Sequence, residues 1–169
     1  MKVLITGPES TGKTSTALKL AEDFGFQYIP EYARQYLEKN GPGYTYDDLA
    51  YMASEHIRIF REHSGQNVIL DTYILNFKIW FLYRFKRYPG FIDDALSESD
   101  FDIVLLMYPD IEWEFDPLRE NRDDRLHLFQ QYENELKKLE WPYQIIRGQG
   151  NDRVDQCKKL INDCMIALN

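Results

Sequence analysis

The sequence predicts an α/β fold in which a five-stranded parallel sheet is covered by helices on both faces. Three observations carry that prediction. Short apolar runs alternate with longer stretches of helical periodicity, the pattern of strands joined by crossover helices. The first apolar run leads through a glycine-rich turn, Gly7-Pro8-Glu9-Ser10-Thr11-Gly12-Lys13-Thr14, straight into a helix-forming stretch. The chain of 169 residues has no internal repeat or low-complexity tract and suits one domain over 1–169 with a single core.

Taken in order, Lys2 to Thr6 reads as a buried first strand and Lys13 to about Asp23 as the helix after the turn. Gln27 to Ile29 is a short second strand ending at Pro30, followed by a helix over Tyr32 to Lys39 that Gly41-Pro42-Gly43 breaks. The next helix starts at Thr45, because Thr45 and Asp48 have capping-box spacing. Asn67 to Thr72 is the third strand. Tyr73 to Arg87 forms a helix whose apolar residues, among them Phe77, Trp80, Phe81 and Phe85, fall on more than one side. Two-sided burial in the monomer accounts for that better than pairing with another subunit, although a homo-oligomer stays open. Asp102 to Met107 is the fourth strand and Asp116 to Arg125 a charged loop. The following helix presents Leu126, Phe129, Leu136 and Leu139 on one side; Tyr143 to Ile146 is the fifth strand and Val154 to Leu168 the closing helix. Right-handed crossovers then leave few topologies for the three-layer sandwich.

The turn at Gly7 to Thr14 matches G-x-x-x-x-G-K-[ST] in full, the signature of a P-loop NTPase fold. Glycines let the backbone wrap closely enough for consecutive N–H groups to face phosphate oxygens. The helix behind them directs its positive end at the same anion. In this pattern Lys13 serves the β- and γ-phosphates of ATP, and the Thr14 hydroxyl ligates Mg²⁺. Ser15 completes the ATP-binding set from Gly7, Pro8, Glu9, Ser10, Thr11 and Gly12 onward. The metal needs a partner carboxylate on a neighbouring strand, and Asp71 closes the apolar run Val68-Ile69-Leu70 at the sheet edge where ligands bind.

Composition excludes several classes. Twenty basic against twenty-eight acidic residues give a net charge of −8, a poor match to nucleic acid, which is bound by neutralising phosphates. The longest apolar runs are far too short to cross a bilayer, and the N-terminus lacks the apolar stretch of a signal peptide, so a cytoplasmic protein is expected. Cys157 and Cys164, seven residues apart on one terminal helix, are expected to be buried thiols in a reducing compartment. The three histidines share no metal-ligand spacing with them.

Substrate handling falls to Glu31-Tyr32-Ala33-Arg34, which follows the second strand at the edge that carries the P-loop. Glu31 can accept a hydroxyl proton or hold a sugar hydroxyl, and Arg34 can brace it or touch phosphate. Phosphoryl transfer also needs positive charge on the equatorial oxygens and exclusion of water. Arg119, Arg122 and Arg125, spaced every three residues after the fourth strand, suit a lid over about 116–125. Tyr73 and Trp113 are candidates to stack on a flat substrate ring, although buried packing is the favoured reading for each.

With these residues in place, the chain resembles the ribosylnicotinamide kinase domain of the NadR-type regulators of NAD biosynthesis and its stand-alone relatives. The likeness rests on GPESTGKT from Gly7, EYAR at Glu31 to Arg34, ILDT ending at Thr72, and WEFDPLR from Trp113 to Arg119. It implies strand order 2-3-1-4-5 and transfer of the ATP γ-phosphate to the ribose 5′-hydroxyl of nicotinamide riboside. It makes Asp71 and Glu31 the carboxylates nearest that hydroxyl and starts the lid at Arg119. Two departures stand out: Tyr73 follows Asp71-Thr72 where the family often has a second Asp, and Pro117 stands where a Gly is common. The adenylyltransferase and DNA-binding activities of the larger regulators are not implied, since no H-x-G-H signature occurs. Two other readings stay open: another nucleoside or nucleotide kinase, and a regulatory P-loop ATPase that phosphorylates no acceptor. A GTPase is disfavoured because no N-K-x-D tetrapeptide occurs.

Overall fold

Successive side chains of a strand point to opposite faces, and in this sheet both sets are apolar and covered. The computed structural model describes residues 1–117 and 123–168. Its five strands are β1 (Lys2–Thr6), β2 (Gln27–Ile29), β3 (Val68–Asp71), β4 (Ile103–Met107) and β5 (Tyr143–Ile146). They are all parallel and lie in the order β2-β3-β1-β4-β5, as the family resemblance implies. Val3, Ile5, Ile69, Leu105 and Met107 face the helices α1 (Lys13–Phe24) and α7 (Gly150–Ala167). Leu4, Ile29, Leu70, Val104 and Leu106 face the larger layer. That layer contains α2 (Tyr32–Asn40), α3 (Tyr46–Glu62), α4 (Ile74–Phe85), α5 (Phe91–Ser97) and α6 (Arg125–Lys138). A sheet buried on both faces needs near-continuous apolar strands, which is why β4 reads IVLLM and every one of its residues is buried.

Local chemistry sets the helix boundaries. The capping box expected at α3 is formed: Thr45 Oγ1 accepts from Asp48 N–H at 3.2 Å, and Asp48 Oδ2 accepts from Thr45 N–H at 2.8 Å. Two-sided burial of α4 holds as well, with Ile74, Leu75, Asn76, Phe77, Ile79 and Phe81 all buried. Phe81 meets Tyr46 of the α3 start at a ring separation of 4.9 Å. Burying one such side chain contributes about 1.5–3 kcal/mol.

Four sequence expectations need correction. Helix α5 was missed, because seven residues carry too little periodicity to stand out; Pro89-Gly90 before it and Asp93 and Asp94 in its first turn were the available signals. In α6 the inward set is Leu128, Phe129, Tyr132 and Leu136, and Leu126 in the first turn is 56% exposed. Helix α7 begins at Gly150, a turn before Val154, with Asp152 in its first turn complementing the positive end. Both cysteines are free, but only Cys157 is buried; Cys164 is half-buried, with Sγ 3.5 Å from the Asp102 carbonyl. Among the described residues no helix is long and apolar enough to cross a membrane.

Candidate active site

Parallel strands end together, so the turns after β1, β2 and β3 meet along one edge of the sheet. Register makes this concrete: Ile5 of β1 pairs with Asp71 of β3, and Leu70 pairs with Ile29 of β2. A cavity of about 490 Å³ opens there, within the usual range for a small-molecule site.

One end of the cavity is the loop from Gly7 to Ser15, every residue of which lines it. Two glycines are required by geometry. Gly7 has φ of 129°, and a Cβ there would lie 2.8 Å from the Met107 carbonyl oxygen of β4. Gly12 has φ of 73° and caps α1, whose N-terminus no side chain caps. The loop is held from outside as well. Arg153 of α7, almost fully buried, donates to the carbonyls of Thr11 at 2.5 Å, Tyr108 at 3.0 Å and Gly148 at 2.8 Å, and pairs with Asp110. Glu114 N–H donates to Ser10 Oγ at 2.9 Å. Lys13 Nζ lies 2.7 Å from the Pro8 carbonyl, within the loop that it would leave for phosphate.

The metal-binding residues expected from the sequence are brought together. Thr14 Oγ1 donates to Asp71 Oδ2 at 2.6 Å, and Tyr28 of β2 places its hydroxyl 3.3 Å from the same oxygen. The other oxygen, Asp71 Oδ1, is buried and has no hydrogen-bond partner among the described residues. An unpartnered buried carboxylate oxygen beside a threonine hydroxyl is a hard-oxygen donor set, which fits Mg²⁺. Burial pushes the Asp71 carboxyl above its ordinary pKa, opposed chiefly by the Thr14 hydrogen bond and the Lys13 charge. Just beyond it, Thr72 takes φ of 71°, a left-handed conformation rare for a β-branched residue that costs about 1–3 kcal/mol.

Glu31 is the N-cap residue of α2, yet its side chain makes no capping bond; it is half-buried and lines the cavity. Burial, followed by repulsion from Asp71, pushes its carboxyl up to about 7, against the pull of Lys13 and Arg34. Arg34 also lines the cavity and bridges to Asp116 at 2.8 Å and Glu38 at 3.1 Å. The rest of this end is Leu37 of α2, Asn76, Ile79 and Trp80 of α4, and Leu128 and Tyr132 of α6. Asn76 is fixed by Thr6, whose hydroxyl lies 2.8 Å from its side-chain oxygen. Trp80 stacks on Tyr44 with rings 6.3 Å apart and inclined by 20°, and Arg84 lies 4.3 Å over the other aromatic partner, Tyr44. Burial, then the charges of Glu31 and Glu9, raises the pKa of the Tyr132 hydroxyl.

Several expected site residues lie elsewhere. Tyr32 turns toward α3, its ring 6.4 Å from Tyr51, because Ala33 and Leu37 take the inward face of α2. Tyr73 is core, only 2% exposed and wedged against Phe60 and Phe101 at 4.8 and 5.4 Å; as the N-cap of α4 it points behind the sheet edge. Trp113 pairs with Phe115 at 6.1 Å and is not on the cavity wall. Arg125 donates to the Ser10 and Ile111 carbonyls at 3.1 and 3.0 Å, so it braces the P-loop and does not line the cavity. Arg119 and Arg122 lie outside the described residues. Conversely, sequence reasoning missed Asn76, Trp80 and Tyr132 as cavity residues. The one available signal was the two-faced α4, where a polar Asn76 interrupts the apolar residues.

Comparison with known proteins agrees with this geometry. The AAA domain family model matches residues 2–153. The trifunctional NAD biosynthesis/regulator proteins NadR of Salmonella typhimurium and Escherichia coli are each 28% identical over 128 residues, covering 69% of this chain and 30% of theirs. The chain thus spans less than a third of the curated relatives it matches. A crystal structure of NadR in complex with NR superposes with a TM-score of 0.82 at 19% identity, over 96% of this chain and 50% of that one. Deoxyadenosine kinase from M. mycoides superposes with a TM-score of 0.71 at 17% identity, over 96% of this chain and 100% of that one. The fold is therefore the three-layer α/β fold shared with nucleoside kinases. With its P-loop, its sheet order and a family match running from β1 into α7, this chain belongs to the AAA domain family.

Proposed function

We propose that this chain is an ATP-dependent phosphotransferase acting on a small nucleoside, and that its acceptor is the ribose 5′-hydroxyl of nicotinamide riboside, giving nicotinamide mononucleotide. The observation that carries the reading is that Glu31, a carboxylate tuned to about 7, lines the same cavity as the whole P-loop. A base with a pKa near working pH is best placed to take a hydroxyl proton. The acceptor is supported by the likeness to NadR, solved in complex with NR, and by Trp80 and Tyr132, which offer aromatic surface to a flat ring.

In this reading the P-loop N–H groups and Lys13 hold the nucleotide phosphates. Thr14 and Asp71 would hold Mg²⁺, which supplies positive charge to the phosphate oxygens. The acceptor oxygen forms its bond to the γ-phosphorus as the bond from that phosphorus to the β,γ-bridging oxygen breaks. The electron pair leaves with ADP, and Glu31 accepts the hydroxyl proton. Asp71, with one oxygen committed to Thr14, suits the metal rather than the base. Arg34 lines the same cavity and brings positive charge to the phosphoryl on which charge develops.

The test is a coupled ADP-release assay with MgATP and a panel of nucleosides. Release that depends on nicotinamide riboside, with its mononucleotide as product, is the expected result. Release with a deoxynucleoside alone would favour the second reading, which the full-length superposition on deoxyadenosine kinase supports. Tight ATP binding without acceptor-dependent release would overturn both and leave a regulatory ATPase.

A further inference from the structure

His56 lies on α3, a helix that contributes nothing to the cavity wall, and its side chain is fully buried. Its ring nitrogens reach the two turns that carry the site carboxylates. Nδ1 lies 3.3 Å from the Tyr32 backbone N–H, the residue after Glu31. Nε2 lies 3.2 Å from the Thr72 carbonyl oxygen, the residue after Asp71. An amide N–H only donates and a carbonyl only accepts, so Nδ1 must be bare and Nε2 must carry the proton. One imidazole in one tautomer therefore joins two sheet-edge turns that are 40 residues apart in sequence, as Tyr32 and Thr72 are numbered.

Each bond bears on a carboxylate. Tyr32 N–H is the first of the four donors at the start of α2 that have no partner within the helix. His56 supplies that partner from α3 and so holds the backbone directly after Glu31, whose own side chain makes no capping bond and lines the cavity. Thr72 holds a left-handed φ of 71°, which persists only where its surroundings enforce it. Its carbonyl is held by His56 and its N–H by the Ile5 carbonyl at 2.9 Å. Tyr73 and Phe77 pack their rings 5.8 and 5.9 Å from the imidazole and limit its rotation.

We propose that His56 is a positioning residue of the active site, a neutral two-ended clamp that fixes Glu31 relative to Asp71. The inference rests on the roles given to those carboxylates under the proposed function. Burial supports it by pushing the imidazole down to about 4, so the ring stays uncharged near neutral pH.

His56→Leu removes both bonds, whereas His56→Gln keeps a side-chain oxygen and an N–H at a spacing like that of the ring nitrogens. With nicotinamide riboside as acceptor, His56→Leu should lower kcat by about 10–100-fold, the range for partners that orient active-site ligands, with KM for ATP little changed. His56→Gln should recover most of the loss. Equal defects in both variants, or a normal kcat in a folded His56→Leu protein, would overturn the clamp. A second measurement holds even if the Leu variant fails to fold or the wild type phosphorylates no acceptor. Long-range ¹H–¹⁵N spectra of the wild type should show His56 as the Nε2–H tautomer, with a slowly exchanging Tyr32 amide. An Nδ1–H tautomer, or a freely exchanging Tyr32 amide, would sink the clamp regardless of substrate. Loss of all acceptor phosphorylation in the wild type, with the tautomer intact, would instead count against the proposed function.

Discussion

The phosphate end of the cavity draws nine consecutive residues, Gly7 to Ser15, from one turn, while the acceptor end draws Glu31, Asn76, Trp80, Leu128 and Tyr132 from three helices. Phosphate is bound largely by backbone N–H groups and a helix terminus, so its requirements fall on adjacent residues. An acceptor is recognised by side chains placed around it, and those come from wherever the fold delivers them. The first end is therefore rigid, local and shared among many proteins. The second is assembled from tertiary contacts and free to diverge. Substitutions at the two ends should accordingly fail in different ways.

The largest loss is expected from Lys13→Ala. Removing a cation that neutralises the transferring phosphoryl should cost about 10³-fold or more in kcat with any acceptor. The fold should survive, because the hydrogen bond from Lys13 Nζ to the Pro8 carbonyl lies within its own loop. Near-normal turnover would remove Lys13 from the proposed mechanism. Glu31→Gln should come next, lowering kcat by about 10²–10³-fold as a lost general base does. Nucleotide binding, measured by titration with an ATP analogue, should be nearly unchanged. A parallel loss of nucleotide affinity would mean that the two ends are not separable in the way the cavity lining suggests.

A gentler probe of the acceptor end is Trp80→Leu. Trp80 is stacked on Tyr44 and forms part of the wall, so the variant keeps apolar bulk but loses the ring face. An aromatic contact of about 1 kcal/mol corresponds to a several-fold rise in acceptor KM. KM for ATP should stay put. If the ATP constant moved and the acceptor constant did not, the assignment of the two ends would be reversed.

The same contrast explains what could be read from the sequence. Five strands, their bounds to within a residue or two, and the whole P-loop were legible, because short apolar runs and the phosphate motif are both written in neighbouring residues. Glu31 and Asp71 were legible too, since Asp71 closes β3 and Glu31 follows the end of β2 at the ligand-binding edge. Tyr73 shows where that logic stops. Its aromatic ring left substrate stacking open beside the favoured buried packing; the left-handed Thr72 after Asp71 swings the chain, and Tyr73 ends packed on Phe60 and Phe101. Neither that backbone twist nor the α3 histidine that holds it has a signature within a few residues. Tyr132 needed knowledge of which face of α6 turns inward, and that face is set by packing on α4.

The smallest predicted effect tests the electrostatics of the acceptor end without any substrate. Because Glu31 has a carboxyl raised from 4.5 to about 7 in the fold, the native state favours its protonated form. Its contribution to stability is fully present below the unfolded value and is lost as pH rises through the folded one. Thermal midpoints of the ligand-free protein, taken relative to Glu31→Gln, should therefore fall between about pH 5 and 8. Asp71 is also raised by burial and titrates in the same direction, but it is present in both proteins, so most of its effect cancels in the difference. A flat difference would mean that Glu31 is well solvated and not tuned as a base. A difference that falls, while kcat rises over the same interval, would tie the destabilisation to the chemistry. Burial of Glu31, with its repulsion by Asp71, would then be both a cost to the fold and the reason a carboxylate there can take a proton near neutral pH.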